Sequence, residues 1–242
     1  MIATPAVLVV LLTLPASQPV EVALFTGDGV RGRGPAMLQQ TFADLPDLRL
    51  KAITADEIRA GKLADFRVLI HPGGAAARQA AELAPEGREA VRRFVADGGC
   101  FVGICAGCYL VTTDYRWSLG LIPAKVLDKP NWERGRATLR LELTAAGRNW
   151  FGRADSEFAC LYNNGPVLKP DPNESVIPLA YFREEIVRRG AEAGLMINTP
   201  AMVAARYGQG WAIGISPHPE QTDGLKDLIP AAIRWVLSNP AD

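Results

Sequence analysis

From residue 20 onward, short apolar runs alternate with stretches of helical character, and that alternation restricts the chain to few folds. Residues 20–25 (VEVALF), 48–53, 66–70 and 100–104 read as strands, rich in Val, Ile, Leu and Phe. Between them, residues 34–42 read as a helix. Residues 85–96 place Ala90, Val91, Phe94 and Val95 on one face with arginines opposite, an amphipathic helix stopped by Gly98-Gly99. Thr54 followed by Glu57 has the form of a capping box and predicts a further short helix. Strands separated by helices predict an α/β fold, with a mostly parallel sheet and helices on both faces. In such folds ligands bind at the carboxyl ends of the strands. Gly27-Asp28-Gly29, Pro72-Gly73-Gly74 and the residues after Ile104 fall at that edge. A chain of 242 residues can bury about three quarters of its unfolded surface, so such a core needs no disulfide or metal staple.

The stretch 119–199 is less regular. It contains strand-like segments at 137–143 and 176–182 and the turn sequence Tyr162-Asn163-Asn164-Gly165-Pro166. With no linker composition at either end, it is expected to be an insertion packed beside the sheet. Residues 203–207 and 211–215 flank Gly208-Gln209-Gly210 and read as a hairpin; 225–237 reads as a closing helix. At the other end, residues 6–14 (AVLVVLLTL) form an apolar run followed by Pro15-Ala16-Ser17-Gln18. The run is shorter than the roughly 20 residues that cross a bilayer. It has the form of the apolar core of a secretory signal, although the first basic residue is Arg31. The competing reading is a first core strand. The expected organisation is a signal segment at 1–18 and one domain at 19–242, exported to the periplasm or secreted, with no membrane span in the mature chain. Without a signal the protein would be cytoplasmic.

Lysine plus arginine number 26 against 26 aspartate plus glutamate, and no long basic run is present, so no nucleic-acid partner is expected. Histidine occurs only at His71 and His218, which leaves no His-rich metal site; neither a metal nor an organic cofactor is expected. Cys105-x-x-Cys108 at a helix start also has the spacing of a redox motif, but that reading leaves His218 and Glu220 unexplained.

The chemistry concentrates in two short segments. Gly103-Ile104-Cys105-Ala106-Gly107 follows an apolar strand and opens a helix, the setting of a nucleophile elbow. Small neighbours permit the tight turn, and a helix N-terminus near the sulfur favours the thiolate. The alternative is a core cysteine at a strand end. Ser216-Pro217-His218-Pro219-Glu220 supplies a base and, two residues on, a carboxylate that an extended segment would point to the same side. Glu220 would then fix the imidazole as a triad carboxylate does; the alternative is an ordinary surface loop. Gly73-Gly74 after the third strand lets backbone come close to a ligand. The N–H of Gly74 is a candidate oxyanion donor together with that of Ala106, or else the pair is a simple turn. His71, at the same strand end, reads as structural.

The elbow together with His218-Pro219-Glu220 resembles the class I glutamine amidotransferase superfamily. Gly103-Ile104-Cys105-Ala106-Gly107-Cys108-Tyr109, Tyr162-Asn163-Asn164-Gly165-Pro166 and Ser216-Pro217-His218-Pro219-Glu220 are, more narrowly, similar to the biotin-protein ligase N-terminal domain family. The resemblance implies a flavodoxin-like sheet with a Cys105-His218-Glu220 triad at its carboxyl end, and pocket-facing amides at Asn163 and Asn164. Glutaminases of the superfamily carry Gln where this chain has Tyr109, so Gly73, Tyr109, Asn163 and Asn164 would shape a pocket for another substrate. The function these features imply is a cysteine-dependent hydrolase or amidotransferase-like enzyme acting on the C–N bond of a small-molecule or peptide amide. The alternative is a ligand-binding or regulatory domain with the same fold and little or no turnover.

Overall fold

The computed structural model describes residues 18–127, 129–188 and 190–240; the apolar run 6–14 lies outside them. In chain order the elements are β1 (Val20–Phe25), α1 (Gly34–Ala43), β2 (Leu48–Ile53), α2 (Ala55–Arg59), β3 (Val68–His71), α3 (Ala76–Ala96), β4 (Cys100–Ile104) and α4 (Ala106–Val111). There follow β5 (Ala124–Val126), β6 (Arg136–Leu143), α5 (Ala145–Phe151), β7 (Glu157–Asn163), β8 (Leu168–Pro170), β9 (Val176–Phe182), β10 (Pro200–Tyr207), β11 (Gly210–Ile215) and α6 (Leu228–Ser238).

One sheet carries nine strands in the order β2-β1-β3-β4-β11-β10-β9-β6-β7. The first five of these are mutually parallel and form the flavodoxin-like part; β10, β9, β6 and β7 continue the sheet antiparallel. The irregular stretch is therefore not packed beside the sheet. Three of its strands extend the sheet itself, and only β5 and β8 pair separately. Successive side chains of a strand face opposite ways, and β1 divides accordingly. Val22 and Leu24 pack with Leu38 and Phe42 of α1 and with the apolar side of α6. Ala23 and Phe25 pack with Ile58 of α2 and with Leu83 and Val91 of α3. Helices thus cover both faces. On the α6 side, Trp150 and Trp235 stack at 3.9 Å, and Trp211 meets Trp150 edge-on at 5.0 Å, tying α5 and α6 to β11.

Local chemistry sets the ends of elements. Thr54 Oγ1 accepts from the Glu57 N–H while Glu57 Oε2 accepts from the Thr54 N–H at 3.0 Å, completing the capping box of α2. The helix expected at 85–96 begins earlier, at Ala76, and is broken at Ala84 (φ 58°, ψ 175°), because a residue before proline avoids helical backbone; Pro85 then starts the second limb. The hairpin of β10 and β11 turns at Gly208, which has φ +58°.

Among the described residues no helix is long and apolar enough to cross a membrane, and no three His, Cys, Asp or Glu side chains gather as metal ligands would.

Candidate active site

The parallel register brings the chemically distinctive segments to one edge. His71 of β3 stands opposite Gly103 of β4, and Ile104 of β4 opposite Ile215 of β11. The segments that follow these strands therefore emerge side by side, and Cys105 is stitched to β11 by its N–H to the Ile215 carbonyl at 2.8 Å.

Cys105 is the turning point between β4 and α4. Its backbone lies at φ 51°, ψ −97°, outside the ordinary regions for an L residue, and strain of this kind persists only where surrounding structure imposes it. Here the imposition is visible. A Cβ on Gly103 would collide with the Gly107 carbonyl, and one on Gly107 with the His71 carbonyl, so strand and helix approach more closely than any side chain allows. The Cys105 carbonyl accepts the N–H groups of Cys108 and Tyr109, at 3.0 and 3.1 Å. The N–H of Ala106 stands in the first helical turn, where no carbonyl of the helix can reach it.

His218 follows β11 on a loop pinned from several sides. Its N–H donates to Leu161 O of β7 at 2.7 Å, and Thr222 Oγ1 donates to its carbonyl at 2.8 Å. The ring is buried, with Nδ1 2.8 Å from Glu220 Oε1. Glu220 is buried too, but not on an extended segment: Pro219–Gln221 form a 3-10 turn, and the carboxylate reaches the ring because that turn folds back. Gln221 Nε2 donates to the same carboxylate oxygen at 2.9 Å. With Nδ1 engaged by the carboxylate, Nε2 is the nitrogen left for Cys105. The pair face each other across Gly73, where an added Cβ would lie 3.0 Å from His218 Cε1 and 3.7 Å from Cys105 Cβ. No hydrogen bond joins them in this geometry; the thiol donates to the Asn163 carbonyl at 3.5 Å, and Nε2 is buried without a partner. Such bonds are often loose without substrate. The electrostatics still couple the two. Burial opposes the imidazolium, but the Cys105 sulfur and the Glu220 carboxylate outweigh it and push His218 up to about 10.

The loop after β3 is equally fixed. His71 is fully buried, stacked on Phe25 at 4.3 Å, with Nδ1 3.1 Å from Gln79 Oε1; burial holds it down to about 4, so it stays neutral. Gln79 also donates to Pro72 O at 3.1 Å. Gly74 adopts φ +145°, pressed against the Gly29 carbonyl, so a side chain there is excluded twice over. The Gly73 carbonyl accepts from Arg31 N at 3.2 Å. In a trans peptide the Gly74 N–H points the opposite way from that carbonyl. Both glycines line the same cavity as Cys105 and His218.

That cavity has a volume of about 560 Å³. Tyr109 closes one side, its hydroxyl donating to Asn164 O at 3.2 Å. Asn163 and Asn164 both line it, but the Asn164 side chain is committed to the segment before β6, accepting from Gly135 N at 2.7 Å. Sequence reasoning missed the rest of the wall: Arg31, Tyr115, Trp117, Lys129, Trp132 and Gln221. They sit in loops and short 3-10 turns where no periodicity marks them; the density of aromatics between 109 and 132 was the available signal. Cys108, by contrast, is fully buried in the cluster on the opposite sheet face from that of Cys105, and burial raises its thiol well above the usual range.

The fold is that of class I glutamine amidotransferase-like proteins. Solved structures similar to it include a ThuA-like protein from Bacteroides uniformis (15% identity, 94% of this chain and 97% of that one, TM-score 0.59). A glutamine amidotransferase from Thermotoga maritima is similar at 13% identity over 90% of this chain and 84% of that one, with TM-score 0.53. A beta-galactosidase from Bacillus circulans sp. alkalophilus is similar at 17% identity over 91% of this chain, with TM-score 0.59, and the chain spans about a third of that enzyme's length (32%). The family described as biotin-protein ligase, N terminal, matches residues 48–133. The matched region contains Cys105 and the loop of Gly73 and Gly74 but stops before His218 and Glu220. No curated protein sequence matches the chain.

Proposed function

We propose that this protein is a cysteine-dependent hydrolase or amidotransferase-like enzyme acting on the C–N bond of an amide. The observation that carries this reading is a strained Cys105 at a cavity wall, opposite a buried His218 whose other nitrogen is held by Glu220. His218 Nε2 takes the thiol proton as Cys105 Sγ attacks the amide carbonyl carbon, and the developing oxyanion takes hydrogen bonds from the N–H groups of Gly74 and Ala106. As the C–N bond breaks, His218 Nε2 gives its proton to the departing amine. Water, deprotonated by the same nitrogen, then cleaves the thioester and releases the acid. An amine in place of water gives transfer rather than hydrolysis. Glu220 keeps the imidazole in the required tautomer and stabilises its cation. The sequence of steps calls on no metal or organic cofactor. Gly73, Tyr109 and the Asn163 and Asn164 segment border the substrate. Residues 1–18 serve as an export signal in this reading and 19–242 as the working domain; a protein lacking 1–18 that fails to fold while the full chain folds would oppose it.

A second reading is a binding or regulatory domain. It is favoured by the thiol's present hydrogen bond to Asn163 O in place of Nε2. Screening amide and peptide substrates with the wild type and Cys105→Ala separates the two. Turnover that disappears in Cys105→Ala supports the enzyme; binding without turnover in either protein supports the second reading.

A further inference from the structure

Beyond the reacting groups, the cavity has a second wall that the mechanism does not use. Tyr115 and Trp117 stack in parallel, 4.4 Å apart at 10°, and Tyr109 meets Tyr115 tilted at 6.3 Å. Trp132, 47% exposed, stands on the same cavity. A large aromatic left open beside other aromatics marks a surface built to be covered. The wall also carries two cations, each paired with a carboxylate that does not line the cavity. Its ionisable side chains other than those of the triad region are Arg31 and Lys129, and no carboxylate lines the cavity among the described residues. Lys129 is fixed over the Tyr115 ring at 5.3 Å and held by Asp114 at 2.9 Å. Arg31 is paired with the exposed Asp28 carboxylate and also donates to the carbonyls of Asp28 and Val30. Each cation has more donors than these partners use, since an ammonium has three and a guanidinium five. The cavity volume of about 560 Å³ suits a small molecule rather than a folded partner, because such pockets run roughly 300–1,000 Å³.

We propose that the Tyr115–Trp117 wall with Lys129 and Arg31 is a recognition subsite for amides that carry both an aromatic ring and a carboxylate, of which N-acylated aromatic amino acids are the simplest. The ring lies along the aromatic stack, and the carboxylate takes hydrogen bonds from the two cations. The bond to be cut follows from the hydrolase reading above; the binding preference does not depend on it.

The test therefore uses Cys105→Ala, which removes turnover, and isothermal titration calorimetry with three probes. These are N-acetyl-L-phenylalanine, N-acetyl-L-phenylalaninamide and N-acetyl-L-alanine. The first is expected to bind at least about tenfold more tightly than either other, a factor that one charge-assisted contact or one buried ring supplies. Adding Trp117→Ala should remove the preference for the ring, and Trp117→Phe should restore part of it. Adding Lys129→Gln should remove the preference for the acid over the amide. Equal affinities for the three probes, or no binding of any, would overturn the subsite. Selective binding of the first probe, with no hydrolysis of it or of any other amide by the wild type, would leave the subsite standing and count against the hydrolase reading alone.

Discussion

Gly103→Ala tests how the strained nucleophile is held. The atoms nearest an added Cβ are the carbonyl oxygen and carbon of Gly107 and the nitrogen of Cys108, the last at 2.9 Å. All are backbone of the first turn of α4, so no side chain can rotate away. Ordinary contact begins near 3.4 Å, and the closest of these atoms lies more than an ångström inside it. Gly103 cannot yield either, since its strand is paired with His71 on one side and Gly214 on the other. The first turn must therefore move away by about an ångström, carrying Cys105 with it. Overpacking of this kind costs about 1–3 kcal/mol. A displacement of about 1 Å at a reacting group can cost about 100-fold in rate. The assay pairs a urea-unfolding midpoint with the rate of Cys105 alkylation by iodoacetamide. Cys100, Cys108 and Cys160 are buried with raised thiols, so the native protein should report mainly Cys105. A variant with the wild-type midpoint and the wild-type alkylation rate would refute the claim that this close approach holds the elbow.

Other consequences follow from the same geometry. Glu220→Gln exchanges a charged for a neutral partner at His218 Nδ1, a difference of about 1–1.5 kcal/mol, so turnover should fall about 5- to 10-fold; no loss would remove Glu220 from the mechanism. Free glutamine should be a poor substrate, because Tyr109 stands where the resemblance places the Gln of glutaminases; ready ammonia release that Cys105→Ala abolishes would contradict this. The protonated form of His218 is favoured in the folded protein, up to about 10 against an ordinary 6.5. Its contribution to stability is thus complete below about pH 6.5 and is lost as pH rises through about 10. The urea midpoint of the wild type, measured relative to His218→Gln, should fall over that interval; a constant difference would show that the coupling is absent.

Much of this was legible in the sequence, for identifiable reasons. Thr54 with Glu57, the Gly208 turn and the spacing of Gly103, Cys105 and Gly107 each encode a local geometry, and each appears as read. His218 and Glu220 were paired for the wrong local reason, since a 3-10 turn and not an extended segment joins them. The family resemblance pointed to the right fold; the strands read at 137–143 and 176–182 appear as β6 and β9, but their place in the main sheet escaped because their partners are distant in sequence. β7 was missed: EFACLYN alternates weakly, and its place beside β6 depends on pairing that no short window contains. The aromatic wall was missed for a related reason. Tyr115, Trp117 and Trp132 converge through loop paths, and loops carry no period to read.

The central claim is that Cys105 and His218 act as one chemical unit, and the pH dependence of Cys105 alkylation tests it most directly. In the wild type the imidazolium persists to about 10, so a cation stands beside the sulfur over the range in which alkylation is followed. In His218→Ala the profile should shift to higher pH, with part of the reactivity retained because the start of α4 remains beside the sulfur. Superimposable profiles in the wild type and His218→Ala would mean that His218 does not act on Cys105, and the triad would be lost.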